Sequence, residues 1–157
     1  IGLGATGLSC SPSVSPSEKE LAVTLLNAVG KTVVLEERLL DLVTGVSGSG
    51  PAYVYYLMES MIAAGVEGGL TEQEAKLLVI QTVLGAARMA ESTGIDPSLL
   101  RAKVTSPNGT TFAAMQVLEQ EGFRETVIKA IRRATKRSAE LGDAIATSVL
   151  MQNKENQ

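Results

Sequence analysis

The stretch Thr105-Ser106-Pro107-Asn108-Gly109-Thr110-Thr111 separates two helical patterns and is the densest group of small polar and turn-forming residues in the chain. Pro107 fixes its own φ and pushes the residue before it toward extended geometry, and Asn108-Gly109 accepts positive φ at little cost. Thr110 and Thr111 then stand where the next helix begins. Hydroxyls at such a point can cap the first-turn N–H groups, or these groups together can hold a carboxylate. The spacing alone favours the capped helix start, because caps are far more common than anion sites.

The composition fits one domain, or a small domain plus a fragment, in 157 residues. The chain does not begin with Met, so we expect a piece of a longer protein, with a processed or trimmed terminus as the alternative. Hydrophobic residues make up 45% and aromatic residues only 3%, which predicts a core of aliphatic side chains. The surplus of small apolar residues indicates close helix packing and an oligomer interface.

Several classes of function are disfavoured by what the sequence lacks. It contains no His, and its single Cys10 leaves no intrachain disulfide and no Cys-rich metal site. The net charge of −3 does not favour nucleic acid. No apolar run approaches the ~18 residues of a membrane-spanning helix. We therefore expect no metal centre, no nucleic-acid partner and no membrane partner.

Residues 1–36 predict a strand, a helix and a second strand. Gly2 to Gly7 matches the dinucleotide pattern G-x-G-x-x-G, but no strand precedes it and loop residues follow, so we interpret it as an extended strand. Ser15-Pro16-Ser17-Glu18 is a capping box that begins a helix, and Gly30 is predicted to end it. Thr32 to Leu35 is a short β-branched strand. This is the edge of an α/β sheet, and we place a domain boundary near Glu36 to Arg38.

From Glu37 onward the pattern is helical. Residues 38–44 predict a short helix, and Gly45 to Pro51 predicts a sharp, tight connection where helices pack closely, since the Gly-Lys-Ser/Thr ending of a phosphate-binding loop is missing. The helix from Pro51 to about Gly68 is apolar on most faces, which predicts burial within one chain or between chains. Four further helices and a polar tail are predicted from the signals that follow: a capping box at Thr71 with Gly94 at the helix end, Asp96-Pro97, Thr110 to Gln120, Phe123 to about Met151 with Val149 in its apolar stripe, and the tail from Gln152 to Gln157.

The chain as a whole resembles pyrroline-5-carboxylate reductase. The resemblance runs in order along essentially the whole sequence, and its Thr-Ser-Pro-x-Gly-Thr-Thr motif is specific. One departure is Asn108, where the family usually has Gly; Asn tolerates left-handed geometry, but a larger side chain can narrow the site or alter substrate preference. The matching segments are Asp41-Leu-Val-Thr-Gly-Val-Ser-Gly-Ser-Gly-Pro-Ala-Tyr53, Gln81-Thr82, Gly85-Ala86-Ala87, Val104 to Thr111, Leu118-Glu119, Gly122-Phe123-Arg124 and Arg137-Ser138-x-Glu140-Leu141.

The resemblance implies a mainly α fold. Residues 37–157 would form an all-helical dimerisation and substrate-binding domain, and residues 1–36 the C-terminal end of an incomplete Rossmann-type nucleotide-binding domain. The implied reaction is the reduction of 1-pyrroline-5-carboxylate to L-proline by NADPH or NADH, which the missing upstream domain would mainly bind. A cytoplasmic homodimer, which can assemble into a higher oligomer, is implied as well. We expect this chain alone to lack reductase activity.

The resemblance also assigns residues to the site. It implies that Ser106, Gly109, Thr110 and Thr111 bind the substrate through hydroxyls and backbone N–H groups. No residue is implied as an acid, a base or a nucleophile, because a protonated imine is already a good electrophile and the protein mainly positions the reactants. Three further residues are placed near the ligands: Lys103 and Val104 beside the nicotinamide, and Glu37 at a hinge that lines the ligand.

Two other functions remain open. A non-catalytic helical dimerisation module would explain the helices but would have no need for the hydroxyl-rich loop. A related reductase of another cyclic imine would use the same loop. Asn108 is compatible with that alternative, because it departs from the family pattern at the substrate-binding loop.

Overall fold

The structure, a computed structural model, describes the backbone of residues 1–155 and the side chains of residues 1–148. Within that range the chain is mainly α, with a strand–helix–strand at its N-terminal end, as predicted. The side chain of the predicted stripe residue Val149 and the last two residues of the predicted tail, Asn156 and Gln157, lie outside these described parts. The predicted helix end near Met151 is wrong, because the last helix continues to Glu155. The elements in chain order are β1 Gly4–Leu8, α1 Pro16–Asn27, β2 Gly30–Val34, α2 Leu40–Val43, α3 Gly50–Glu67, α4 Glu72–Thr93, α5 Pro97–Lys103, α6 Thr110–Gln120 and α7 Phe123–Glu155.

The chain divides into two compact units. The N-terminal unit comprises Ile1–Pro51 together with the described chain that follows Thr126. The central unit comprises Ala52–Thr126 and contains the loop between α5 and α6.

In the N-terminal unit, β1 and β2 form a parallel two-stranded sheet whose register runs from Gly4 opposite Gly30 to Leu8 opposite Val34. The capping box at Ser15 begins α1, as predicted. The prediction that Gly30 ends α1 is wrong, because the helix stops at Asn27 and Gly30 is the first residue of β2. A Cβ on Gly30 would collide with the backbone of Gly4 across the pair. Glycine is therefore needed here for close strand approach.

The predicted sharp connection after α2 is also wrong. A short 3-10 turn precedes α2, and Thr44–Gly48 continues as a π-helical turn that leads into α3. No glycine of this segment has positive φ. Gly45 instead allows close approach of α7, since a Cβ there would lie 3.0 Å from the carbonyl oxygen of Ile131 and 3.1 Å from the amide nitrogen of Thr135. Gly45 thus serves close packing against α7 and not a sharp turn.

The central unit begins its helices with local signals that the sequence predicts. The hydroxyl of Thr71 and the carboxylate of Glu74 form the predicted capping box of α4. Gly94 follows α4 in the left-handed conformation, with φ +62°. Asp96 caps α5 by accepting a 2.8 Å hydrogen bond from the N–H of Ser98.

The single chain buries very little apolar surface. Among hydrophobic residues with described side chains, only Ala75 and Val79 of α4 are buried, at 1% and 7% exposure. Helix α3 has no buried residue, and its Leu57 and Tyr56 are 41% and 73% exposed. The burial predicted for this apolar helix is therefore not provided within one chain.

Candidate substrate-binding loop

The loop between α5 and α6 is built around one tight turn. The N–H of Gly109 donates a 3.0 Å hydrogen bond to the carbonyl of Ser106, which closes a four-residue turn with Pro107 and Asn108 at its centre. Asn108 has φ +58° and is the one non-glycine residue with positive φ in the described chain. Pro followed by a left-handed residue is the pattern of a type II turn. Asn108 thus adopts the left-handed conformation that the second central position of such a turn requires.

The capped helix start that the spacing favours is wrong. The residue that flanks α6 is Gly109, in extended geometry at φ −80° and ψ 174°, and no side chain caps the helix. Thr110 and Thr111 are the first two residues inside α6, and a cap requires the hydroxyl one position earlier. The contrast with the capped N-termini of α1, α4 and α5 is clear. The first-turn N–H groups of α6 are therefore left without a side-chain acceptor.

Three hydroxyls lie at this helix end. Those of Ser106, Thr110 and Thr111 take part in no hydrogen bond within the described residues, whereas a mid-helix hydroxyl such as that of Thr82 donates to the carbonyl four residues earlier, at 2.8 Å for Leu78. A threonine in a first turn has no helical carbonyl behind it to bond. Thr111 is half-buried, and Ser106 and Thr110 are exposed. These hydroxyls are thus available to a ligand.

Gly109 is packed directly under Ser106. A Cβ on Gly109 would collide with the hydroxyl oxygen of Ser106 and come within 3.1 Å of its carbonyl oxygen. The Ser106 side chain therefore lies against the start of α6. The first turn of α6 contains no acidic residue, so no carboxylate of its own competes for the positive end of the helix dipole. Hydroxyl donors and free N–H groups at this point suit a carboxylate ligand.

Lys103 and Val104 lie on the other side of the turn. Lys103 is the last residue of α5, Val104 follows it, and both side chains are exposed. A groove of about 290 Å³ lies between α5 and α6. The ion pair of Arg101 with Glu119, at 3.5 Å, spans this groove. Its lining residues are Arg101, Ala102, Thr105, Phe112, Met115, Gln116 and Glu119.

Glu37 belongs to the N-terminal unit, where it begins the 3-10 turn after β2. It lines a cleft of about 650 Å³ at the carboxyl ends of both strands. Nucleotide ligands of open α/β sheets bind outside the carboxyl ends of the strands. The sequence pattern marks Ser9 and Cys10 only as loop residues. Their position directly after a strand of a parallel pair is the signal that points to a ligand site. The cleft is lined by Ser9, Cys10, Lys19, Val34, Leu35, Glu36, Glu37 and Leu39.

The carboxyl groups with a lowered pKa in the described chain all lie outside the loop between α5 and α6. Hydrogen bonds from the hydroxyl and N–H of Ser15 lower the pKa of Glu18, and those from Thr71 lower the pKa of Glu74. Ser98 has the same effect on the pKa of Asp96, and Arg137 on that of Glu140. Helix capping or an ion pair explains each of these four lowered pKa values, so none of them indicates a further site. The described residues contain no group of three His, Cys, Asp or Glu placed to hold a metal ion, and no described helix is long and apolar enough to cross a membrane.

Comparison with known proteins identifies the family. The family model for pyrroline-5-carboxylate reductase dimerisation matches residues 37–141. The chain belongs to the pyrroline-5-carboxylate reductase family. Pyrroline-5-carboxylate reductase 1 of Bacillus subtilis (strain 168) is 44% identical over 145 residues, which are 92% of this chain and 49% of the relative. The chain thus spans about half the length of the curated relatives it matches.

Solved structures of the family share this fold. A pyrroline-5-carboxylate reductase from Coxiella burnetii superposes with a TM-score of 0.87 at 44% identity, over 89% of this chain and 52% of that one. Pyrroline carboxylate reductase of Plasmodium falciparum, which was solved with NADP bound, gives a TM-score of 0.82 at 33% identity, over 90% and 58% of the two chains.

Proposed function

We propose that this chain is the substrate-binding and dimerisation part of an enzyme that reduces 1-pyrroline-5-carboxylate to L-proline with NADPH or NADH. The main support for the proposal is the start of α6, where N–H groups without a side-chain cap lie beside three hydroxyls that form no hydrogen bond within the described residues. In this proposal residues 37–157 form the helical domain and residues 1–36 the end of a nucleotide-binding domain. Family membership supports the reaction, and the loop supports the role of this part.

The substrate carboxylate is proposed to bind at the loop. The Ser106 and Thr111 hydroxyls and the N–H groups that open α6 would donate hydrogen bonds to its oxygens, and the helix dipole would favour the negative charge. Gly109 allows the substrate to approach the backbone, and Thr110 provides a further hydroxyl. Binding in this way fixes the ring and its C=N bond in one orientation. Positioning is the main contribution that this chain makes, because a protonated imine accepts hydride without help from a nucleophilic side chain.

The cleft at the strand ends fits a nicotinamide cofactor, because it lies where open α/β sheets hold nucleotides. Glu37 would line that site, and Lys103 and Val104 are proposed to approach the nicotinamide. When bound, the cofactor supplies the hydride that reduces the C=N carbon. One solved relative holds NADP, which supports a nicotinamide here, and the choice between NADPH and NADH is left to the assay.

The partner is proposed to be a second copy of this chain. Helices α3 and α4 leave many large apolar side chains exposed while burying only two hydrophobic residues, so the helical domain requires a covering surface. The matched family model concerns dimerisation, which supports that assignment. A larger oligomer of dimers and a cytoplasmic location are part of the same proposal.

The test uses the full-length protein with its upstream residues. NADPH or NADH oxidation is followed with 1-pyrroline-5-carboxylate, and L-proline is tested as a product inhibitor. Replacing both Thr110 and Thr111 with Val should raise the KM for the imino acid. Each hydrogen bond lost to the charged carboxylate costs about 1.5–3 kcal/mol, which is roughly a tenfold to hundredfold rise in KM. The matched control is Thr82→Val, because that hydroxyl only bonds its own helix.

The outcomes separate the alternatives. No turnover with either nicotinamide in a folded oligomer would refute the reductase and favour a dimerisation module. Turnover only with a different cyclic imine would favour the related reductase, and Asn108→Gly would then test the residue that departs from the family. A dimer that dissociates in the Thr110/Thr111 variant with unchanged catalysis would refute the site assignment.

A further inference from the structure

We propose that Thr105 is a positioning residue that sets the geometry of the carboxylate-binding loop without touching the substrate. This inference rests on the function proposed above. Thr105 precedes the turn and is half-buried. Its hydroxyl donates a 2.7 Å hydrogen bond to the carbonyl of Arg101, and its N–H donates at 3.1 Å to the carbonyl of Ala102. The residue directly before Ser106 is thus bonded twice to the last turn of α5.

The Thr105 hydroxyl bond differs from those that other threonines make inside helices. Helix α5 ends at Lys103, so the donor lies beyond the helix and serves a carbonyl of the last turn, where intrahelical partners run out. The bond therefore fixes the direction in which the chain leaves α5. A mid-helix bond such as that of Thr82 does not have this effect, because the backbone hydrogen bonds of the helix already fix the chain there.

Few degrees of freedom remain between this tie and α6. Only Ser106, Pro107 and Asn108 lie between Thr105 and Gly109. The Pro107 ring fixes one φ, Asn108 is held at φ +58°, and the Gly109 N–H closes the turn onto Ser106. A change in the orientation of Thr105 would therefore change the position of Ser106. Because the Ser106 hydroxyl packs against Gly109 with no room for a methyl group, a small rotation at Thr105 would move it relative to the start of α6.

A second connection between α5 and α6 is weaker. The guanidinium of Arg101 and the carboxylate of Glu119 are 3.5 Å apart, and both side chains are mostly exposed. Exposed pairs of this kind contribute little. Arg101 therefore matters to the loop mainly through its backbone carbonyl, which accepts from Thr105 and also from the N–H of Val104 at 3.2 Å. A side-chain change at Arg101 that leaves the carbonyl in place is therefore the matched control.

The test compares Thr105→Val, Thr105→Ser and Arg101→Gln in the full-length protein. Valine keeps the branched shape and removes the donor, whereas serine keeps the donor. We expect Thr105→Val to raise the KM for the imino acid three- to tenfold with kcat within twofold and the KM for the nicotinamide unchanged. Thr105→Ser and Arg101→Gln should both stay within twofold of wild type. The affinity for L-proline, measured by calorimetry, should fall by the same factor as the KM rises.

The measurements distinguish a positioning role of Thr105 from a purely structural one. A Thr105→Val enzyme with a lower melting temperature but unchanged KM and proline affinity would show a purely structural role and overturn the inference. Equal defects in the Val and Ser variants would do the same, because packing and not the hydroxyl would be responsible. Should Thr105→Val not assemble, Thr105→Ala gives the same comparison with serine. A wild-type protein with neither turnover nor proline binding would instead refute the proposed function, and the inference with it.

Discussion

The contact of Gly45 with α7 gives the sharpest test of the packing in the N-terminal unit. A Cβ at Gly45 would lie 3.0 Å from the Ile131 carbonyl oxygen, whereas ordinary contact begins at 3.4 Å, so the backbones must separate by the difference of 0.4 Å. The same Cβ would collide with the hydroxyl oxygen of Thr135, which is held by its own 3.0 Å bond to that carbonyl. Overpacking of this kind costs about 1–3 kcal/mol. We expect Gly45→Ala to destabilise the protein by that amount.

The matched control lies in the same π-helical turn. A Cβ at Gly48 would meet the Thr44 side chain at 3.7 Å, which is ordinary contact, so Gly48→Ala changes helix propensity without adding strain. That change should be neutral or stabilising by up to about 1 kcal/mol. Thermal unfolding of the full-length protein is the assay. At about 2–4 °C per kcal/mol for a chain of this size class, Gly45→Ala should lower the melting temperature by roughly 2–12 °C relative to wild type.

Equal melting temperatures for the two alanine variants would contradict the predicted clash at Gly45. Adding Thr135→Ala to Gly45→Ala should recover part of the lost stability, because it removes the colliding hydroxyl oxygen, and no recovery would contradict the clash as well. Residues in contact show such coupling, and distant residues do not.

Two further predictions concern assembly and pH. Leu57→Asp places a carboxylate in the apolar face of α3 that the partner is proposed to cover, so light scattering should show dissociation or unfolding, and a wild-type-like oligomer would contradict the interface. The pKa of Glu74 is lowered from 4.5 by hydrogen bonds from the Thr71 hydroxyl and N–H, so its contribution to stability is present above pH 4.5 and is lost as pH falls through the lowered pKa. Thr71→Val should therefore flatten the fall of melting temperature below pH 4.5, and a curve parallel to wild type would count against this.

Local signals explain why most helix boundaries could be predicted from the sequence. The caps at Ser15, Thr71 and Asp96 each depend on residues two or three positions away, and the left-handed Gly94 depends only on its own missing side chain. Such signals can be read without knowing the rest of the fold. The fold class was predicted correctly for the same reason, with the added help of the family resemblance.

The glycines whose roles were mistaken depend on distant partners. Gly30 is required by Gly4 on the neighbouring strand, and Gly45 by Thr135 on α7, far along the chain. Neither partner leaves a mark near the glycine in the sequence, so both were assigned the commoner local roles of helix end and sharp turn. The start of α6 was mistaken for a different reason. Counting hydroxyls near a helix start does not reveal whether they fall on the flanking residue or one position inside, and that single step decides between a cap and free donors.

The helices and the loop are stabilised by different interactions. With Ala75 and Val79 as the buried hydrophobic residues of the described chain, the central helices must draw most of their apolar burial from outside the single chain. The loop does not share this dependence, because the bonds from Thr105 to α5 and from Gly109 to Ser106 span five residues at most. A change in α3 should therefore act first on assembly, and on catalysis only as the oligomer is lost. A change in the loop should act on substrate affinity in an oligomer that stays intact. An α3 variant that raises the KM for the imino acid while remaining fully dimeric would show that the interface shapes the loop directly.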